Sequence, residues 1–126
     1  MSEESVGLVR HAYETWNQQG PAAIGEMLAD DIELHDAPEL PDAGVWRGRG
    51  AVVARLGAVA EAVGGGTVDF EGVRQCGAGV LVAMHWQLER ESGEVDLGQV
   101  FHVVTVEHGA ITRIRVFLTE SEALSA

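Results

Sequence analysis

Lysine is absent from this sequence, and its eight cations are all arginine. Catalysis through a side-chain amine and a Schiff base therefore has no candidate. Twenty acidic residues face those eight arginines, giving a formal net charge of −12. Tracking a phosphate backbone needs clustered cations, which excludes nucleic acid as a partner. Anionic membrane surfaces are excluded for the same reason, and the acidity itself serves solubility. One cysteine, Cys76, leaves no internal disulfide to form and fits a reducing compartment. The opening Met1-Ser2-Glu3-Glu4 is acidic where a signal peptide is basic, and no long apolar run follows. The expectation is a cytoplasmic protein. Three prolines and no low-complexity run speak for a folded chain.

What is present is apolar: 46% of 126 residues, enough for one core in a single domain over 1–126. Val6, Val9, Tyr13 and Trp16 share one face of a first helix, which Gly20-Pro21 ends. A short second helix from Pro21 to about Leu28 stops at Asp30-Asp31. Ile32 to Asp36 alternates as a half-buried strand does. The loop from Ala37 to Gly48 is long for a compact domain, and such loops are often functional. Helical spacing returns from Arg49 to Val63 with Val52, Leu56, Val59 and Val63, and Gly64-Gly65-Gly66 closes it. Four strands follow, over 67–75, 79–91, 94–106 and 110–118, with a last helical turn from Thr119. Helices first and an antiparallel meander behind predict an α+β fold.

The stretch IELHDAPELPDAGVWRG over 32–48 resembles the SnoaL-like branch of the nuclear-transport-factor-2-like superfamily. So do FHVVTVEHGAITRIRVF over 101–117, with Glu122 to Leu124 behind it, and the first helix with Ala12-Tyr13 and Trp16-Asn17. The resemblance spans nearly the whole chain. It implies a cone-like α+β barrel whose curved sheet encloses one apolar pocket, and members that often pair through the sheet. The superfamily holds polyketide cyclases, ketosteroid isomerases, epoxide hydrolases and dehydratases. The resemblance puts the proton-shuttling carboxylate of ketosteroid isomerases on Asp36, their oxyanion-hole tyrosine on Ala12 beside Tyr13, and their oxyanion-hole acid near His102.

Turn chemistry offers a way to decide which side chains share a face. A three-residue loop at Glu107-His108-Gly109 sets His102 opposite Ile114, on an inward face with Val100, Val104, Thr112 and Val116. A two-residue turn at Ser92-Gly93 sets Ala83 opposite His102 and His85 opposite Val100. His85, Gln87 and His102 then border the pocket together, while Met84, Trp86 and Phe101 form an outer apolar face suited to a homodimer.

The expected chemistry is cofactor-free acid–base work on a small apolar carbonyl compound. Asp36 is the proton shuttle, and His102 or His85 is the donor to a developing oxyanion. The ordinary alternatives are a turn aspartate and core histidines bonded to backbone carbonyls. Gln87, Trp46, Tyr13, Trp16, Val100, Ile114 and Val116 are the expected pocket contacts, with His35 at the rim. No metal is expected, because His35, Asp36, His85 and His102 lack the tight spacing of a ligand set. Two other functions compete: an epoxide-opening enzyme, which needs a second carboxylate from Glu39, Glu89 or Asp96, and a non-catalytic binding or dimerisation module.

Overall fold

In the computed structural model, residues 2–39, 43–62, 67–77, 79–90 and 93–125 are described. Helix α1 (Ser2–Gln19) ends at Gly20, whose φ of 93° suits glycine, and Pro21 opens a 3-10 helix, Pro21–Met27. Strand β1 (Leu28–His35) follows at once. It starts four residues before the alternating pattern at Ile32, across Asp30 and Asp31. The cause is tertiary: β1 pairs in parallel with β6 (Ala110–Phe117), from Leu28 opposite Ile111 to His35 opposite Arg115. Both aspartates keep their side chains in solvent, so their poor strand propensity costs little.

The long loop carries a strand that the pattern does not reveal. Strand β2 (Val45–Arg47) folds back antiparallel on β1, pairing Leu34 with Trp46. Helix α2 (Arg49–Ala62) follows; Gly64-Gly65-Gly66 lies outside the described residues. Strands β3 (Thr67–Cys76), β4 (Gly79–Arg90) and β5 (Gly93–Glu107) complete a curved, unclosed sheet in the order β2-β1-β6-β5-β4-β3. The fold is α+β, as expected. Helix α3 (Glu120–Leu124) is capped by the Thr119 hydroxyl, which accepts from the Glu122 amide. Among the described residues no helix is long and apolar enough to cross a membrane.

The β4–β5 register differs from the expected one and moves His85. Arg90 pairs with Gly93, so the pairing sits one residue earlier on each strand, a shift that by itself keeps every side chain on its face. A β-bulge then changes the parity. Gln87 opposes Asp96 but Trp86 opposes Gly98, leaving Leu97 as the extra residue beside Gly98 at φ 90°. Beyond the bulge Val82 opposes His102 and Met84 opposes Val100. His85 therefore lies opposite Gln99, on the other face of the sheet from His102. Burial explains the choice. Val80, Val82, Met84 and Trp86 all enter the core, and each large apolar side chain buried contributes about 1.5–3 kcal/mol. That outweighs one bulged residue.

The expected dimer face is overturned with it. Met84 and Trp86 point inward, whereas Phe101 points outward into a small cluster with Leu81, Val103 and Ala123 of α3. At the β5–β6 hairpin two departures cancel. The loop has two residues, with Glu107 opposite Ala110, and a bulge at Thr112 restores the parity. His102 thus stays inward with Val104, Ile114 and Val116, but its partner is Val116 rather than Ile114. Thr112 leaves the inward face and bonds Glu107 instead, at 2.9 Å.

His108 and Gly109 both take positive φ, 52° and 77°, as a type I′ turn demands. Asparagine suits the first position better than histidine. His108→Asn is expected to stabilise the protein by about 0.5–1 kcal/mol. Thermal unfolding reads this directly, and a lowered melting temperature would contradict the turn assignment.

Candidate functional site

The helices and the concave side of the sheet enclose a cavity of about 560 Å³. Leu34 of β1 with Leu56 and Val59 of α2 line it, as do Trp16 and Trp86, which meet edge to face with centroids 6.3 Å apart. Val100, Val116 and Leu118 complete the apolar wall. Gln99 reaches the lining too, but its side chain turns to Glu71 at 2.9 Å. Among the described residues two ionisable side chains line the cavity, Asp36 and His102.

Asp36 follows β1, at the neck of the loop. Its backbone amide donates to the Gly44 carbonyl at 3.0 Å, and the Gly44 amide donates to its Oδ2 at 3.2 Å. The Trp46 indole donates to the same oxygen at 2.9 Å, and Arg55 Nη2 lies 3.0 Å from it. Arg55 also stacks over the Trp46 ring at 5.0 Å. The Asp36 side chain is 3% exposed and that of Arg55 14%, so this is a buried ion pair. Every described bond to the carboxylate ends on Oδ2, none on Oδ1, and Asp36 lines the cavity. Asp36 is thus a turn aspartate and a cavity carboxylate at once.

His102 is 5% exposed, and its Nδ1 lies 2.8 Å from the hydroxyl of Tyr13. Tyr13 is fully buried, packed edge-on against Phe70 and beside Trp16. Burial pushes the His102 pKa from 6.5 down to about 3, against the opposing pull of the Asp36 charge. Burial also drives the Tyr13 hydroxyl well above its ordinary range. Both groups are neutral at physiological pH.

This has a consequence for stability. Below pH 6.5 the unfolded chain binds a proton at His102 that the folded chain refuses until about pH 3. The unfolded state then holds more protons, so stability falls as pH falls through that window, by about 1.4 kcal/mol per unit from this residue. His102→Gln, which cannot titrate, is expected to unfold less steeply between pH 6 and 4 by about that slope. Denaturant midpoints at three pH values check it; parallel slopes in both proteins would refute the buried neutral imidazole.

Of the expected site residues, Asp36, His102, Trp16, Val100 and Val116 line the cavity. Tyr13 stands behind His102 and Trp46 behind Asp36, each as a hydrogen-bond partner rather than a wall. Ile114 is core beneath the floor. His85 is on the opposite face, as the bulge dictates. His35 also faces away and bonds Glu33 at 3.0 Å. Hydrogen bonds from His35 and then Arg47 hold the Glu33 carboxyl below the usual range. The backbone of Gln87 pairs with Asp96; its side chain lies outside the described residues. Sequence reasoning missed Arg55. Its signal was present, since Arg55 sits on the same helical stripe as Val52, Leu56 and Val59, where a cation has no business unless paired. Among the described residues no group of three or more His, Cys, Asp or Glu is arranged to hold a metal.

The family model of the SnoaL-like domain matches residues 9–114. An uncharacterized protein of Mycobacterium tuberculosis is 30% identical over 122 residues, spanning 96% of this chain and 93% of its own. Among solved structures, Bal32a from a soil-derived mobile gene cassette superposes with a TM-score of 0.79 at 20% identity, over 97% of this chain and 94% of its own. TerC, co-crystallized with polyporic acid, gives 0.74 at 16%, over 97% and 96%. A protein of ketosteroid isomerase-like fold from Catenulispora acidiphila, in complex with trimethylamine, gives 0.68 at 16%, over 94% and 89%.

Proposed function

The chain belongs to the SnoaL-like domain family, and from that premise we propose that it is a cofactor-independent cyclase or isomerase acting on a small apolar carbonyl compound. One observation carries the reading. In a cavity whose described walls are apolar but for Gln99 and these two groups, one carboxylate oxygen and one imidazole nitrogen are left without bonds among the described residues. Asp36 Oδ1 removes a proton from the carbon next to the carbonyl. The C–H electron pair moves into a C–C double bond as the carbonyl oxygen becomes an oxyanion, which His102 Nε2 stabilises. Asp36 then returns the proton at another carbon in an isomerisation; in a cyclisation the enolate carbon attacks a second carbonyl carbon of the same molecule, the C=O π pair moves onto that oxygen, and the oxygen takes the proton from Asp36. The apolar walls exclude water and strengthen both interactions.

The epoxide-opening reading needs a second carboxylate around a water. Asp36 is the one carboxylate that lines the cavity among the described residues; Glu39 is exposed, and the side chains of Glu89 and Asp96 lie outside them. A non-catalytic binding module is favoured by a different fact, the three donors that tie Asp36 to the loop and to α2. Fold-mates bind molecules as unlike as polyporic acid and trimethylamine, so the fold does not choose between these readings.

Exchange chemistry does choose. In heavy water the protein is expected to speed deuterium uptake at the α-carbon of cyclic ketones such as α-tetralone, read by mass spectrometry. Uptake at the buffer rate, with the ketones bound, would leave the binding module. A homodimer on the outer sheet face belongs to the same proposal. Because Leu81, Phe101 and Val103 are already buried there beside α3, pairing would use the half-buried ring around them. Light scattering at micromolar concentration tests it, and a monomer mass removes it.

A further inference from the structure

Which ring nitrogen of His102 carries the proton decides what the cavity accepts. Nδ1 and the Tyr13 hydroxyl are 2.8 Å apart, so one of the two donates. If Nδ1–H donated, the Tyr13 O–H would need another acceptor. Tyr13 is fully buried among Trp16, Phe70 and His102, and no other hydrogen bond to its hydroxyl is described. A buried hydroxyl without an acceptor is costly. The second argument comes from the cavity side. Asp36 lines the same cavity, and its charge acts on the His102 ring. A bare Nε2 lone pair would be repelled by that carboxylate, whereas Nε2–H is attracted. Hydrogen-bond satisfaction and electrostatics select the same tautomer.

We propose that Tyr13 is a positioning residue that donates to Nδ1 and fixes the His102 proton on Nε2, keying the cavity to ligands with an acceptor oxygen: a ketone, a quinone or a phenolate. The chain of bonds from Tyr13 O–H through the imidazole to Nε2–H polarises the final donor. The tautomer stands apart from the acid–base reading above; the ligand class rests on it.

The test is long-range nitrogen–proton correlation NMR on isotope-labelled, ligand-free protein at neutral pH, with His102→Gln identifying the signals. The expected result is a single His102 tautomer, with Nδ1 unprotonated and Nε2 protonated. In Tyr13→Phe, checked for fold by its backbone spectrum, the two forms should mix. A proton on Nδ1, on both nitrogens or shared between tautomers in the wild type overturns the assignment, and this holds even if the variant does not fold. A second measurement addresses the ligand class. Wild type should bind α-tetralone about tenfold more tightly than tetralin, the same rings without the oxygen. Tyr13→Phe should lose most of that ratio. Equal binding of the two by a wild type with the expected tautomer overturns the ligand class and the acid–base reading, and leaves the tautomer standing.

Discussion

Asp36→Ala is expected to lower stability by about 3–5 kcal/mol, because it strands the Arg55 cation at a site with little water. At about 4 °C per kcal/mol for a domain of this size, the melting temperature falls by roughly 12–20 °C. Asp36→Asn should be gentler, about 1–3 kcal/mol, since its carbonyl oxygen still accepts from Gly44 and Trp46 while the charge is gone. Turnover separates the readings further. If Oδ1 is the base, both variants lose about a hundredfold or more of the α-carbon exchange at a temperature where both are folded. Affinity for α-tetralone should change far less in the asparagine variant. Calorimetry and exchange on the same samples decide the matter: an Asp36→Asn protein that melts early but exchanges normally makes Asp36 a structural residue only.

Arg55→Met is expected to cost a similar 3–5 kcal/mol, now by stranding the carboxylate. The informative protein is the double variant, Asp36→Asn with Arg55→Met. Removing both charges of a buried pair is often nearly neutral, so its stability should return to within about 1–2 kcal/mol of wild type, a coupling visible in a double-mutant cycle. Its exchange activity should stay as low as that of Asp36→Asn. Stability and catalysis would then part company at one ion pair. Additive losses of stability in the double variant would mean that Arg55 and Asp36 do not compensate each other as the 3.0 Å contact implies.

The contrast between Asp36 and His85 locates what can be read without coordinates. Asp36 was legible because its parity with Ile32 and Leu34 is a local property of β1 and the residue that follows it, and the family pattern falls on the same residue. His102 was legible because its face carries Val104 and Val116 whichever neighbour it has. His85 was misplaced because the expected register rested on turn chemistry, which knows nothing of Leu97 looping out eleven residues from its partner strand's Trp86. The apolar series Val80, Val82, Met84 and Trp86 carried the better signal, since burial fixes register more strongly than a turn does.

By itself the sequence determined the α+β class, the order of the helices and of five of the six strands, the family, and two of the polar groups that meet in the cavity. Those follow from periodicity, turn residues and composition, which act over a few residues at a time. Only the tertiary structure decided that β1 begins at Leu28, that β2 exists, that a bulge turns His85 away, and that Arg55 and Tyr13 stand behind Asp36 and His102. Each of these is a pairing between positions far apart in the chain, Tyr13 and His102 being 89 residues distant. The energy that selects them, burial of apolar surface and satisfaction of buried polar atoms, exists only once the whole sheet has closed over the helices.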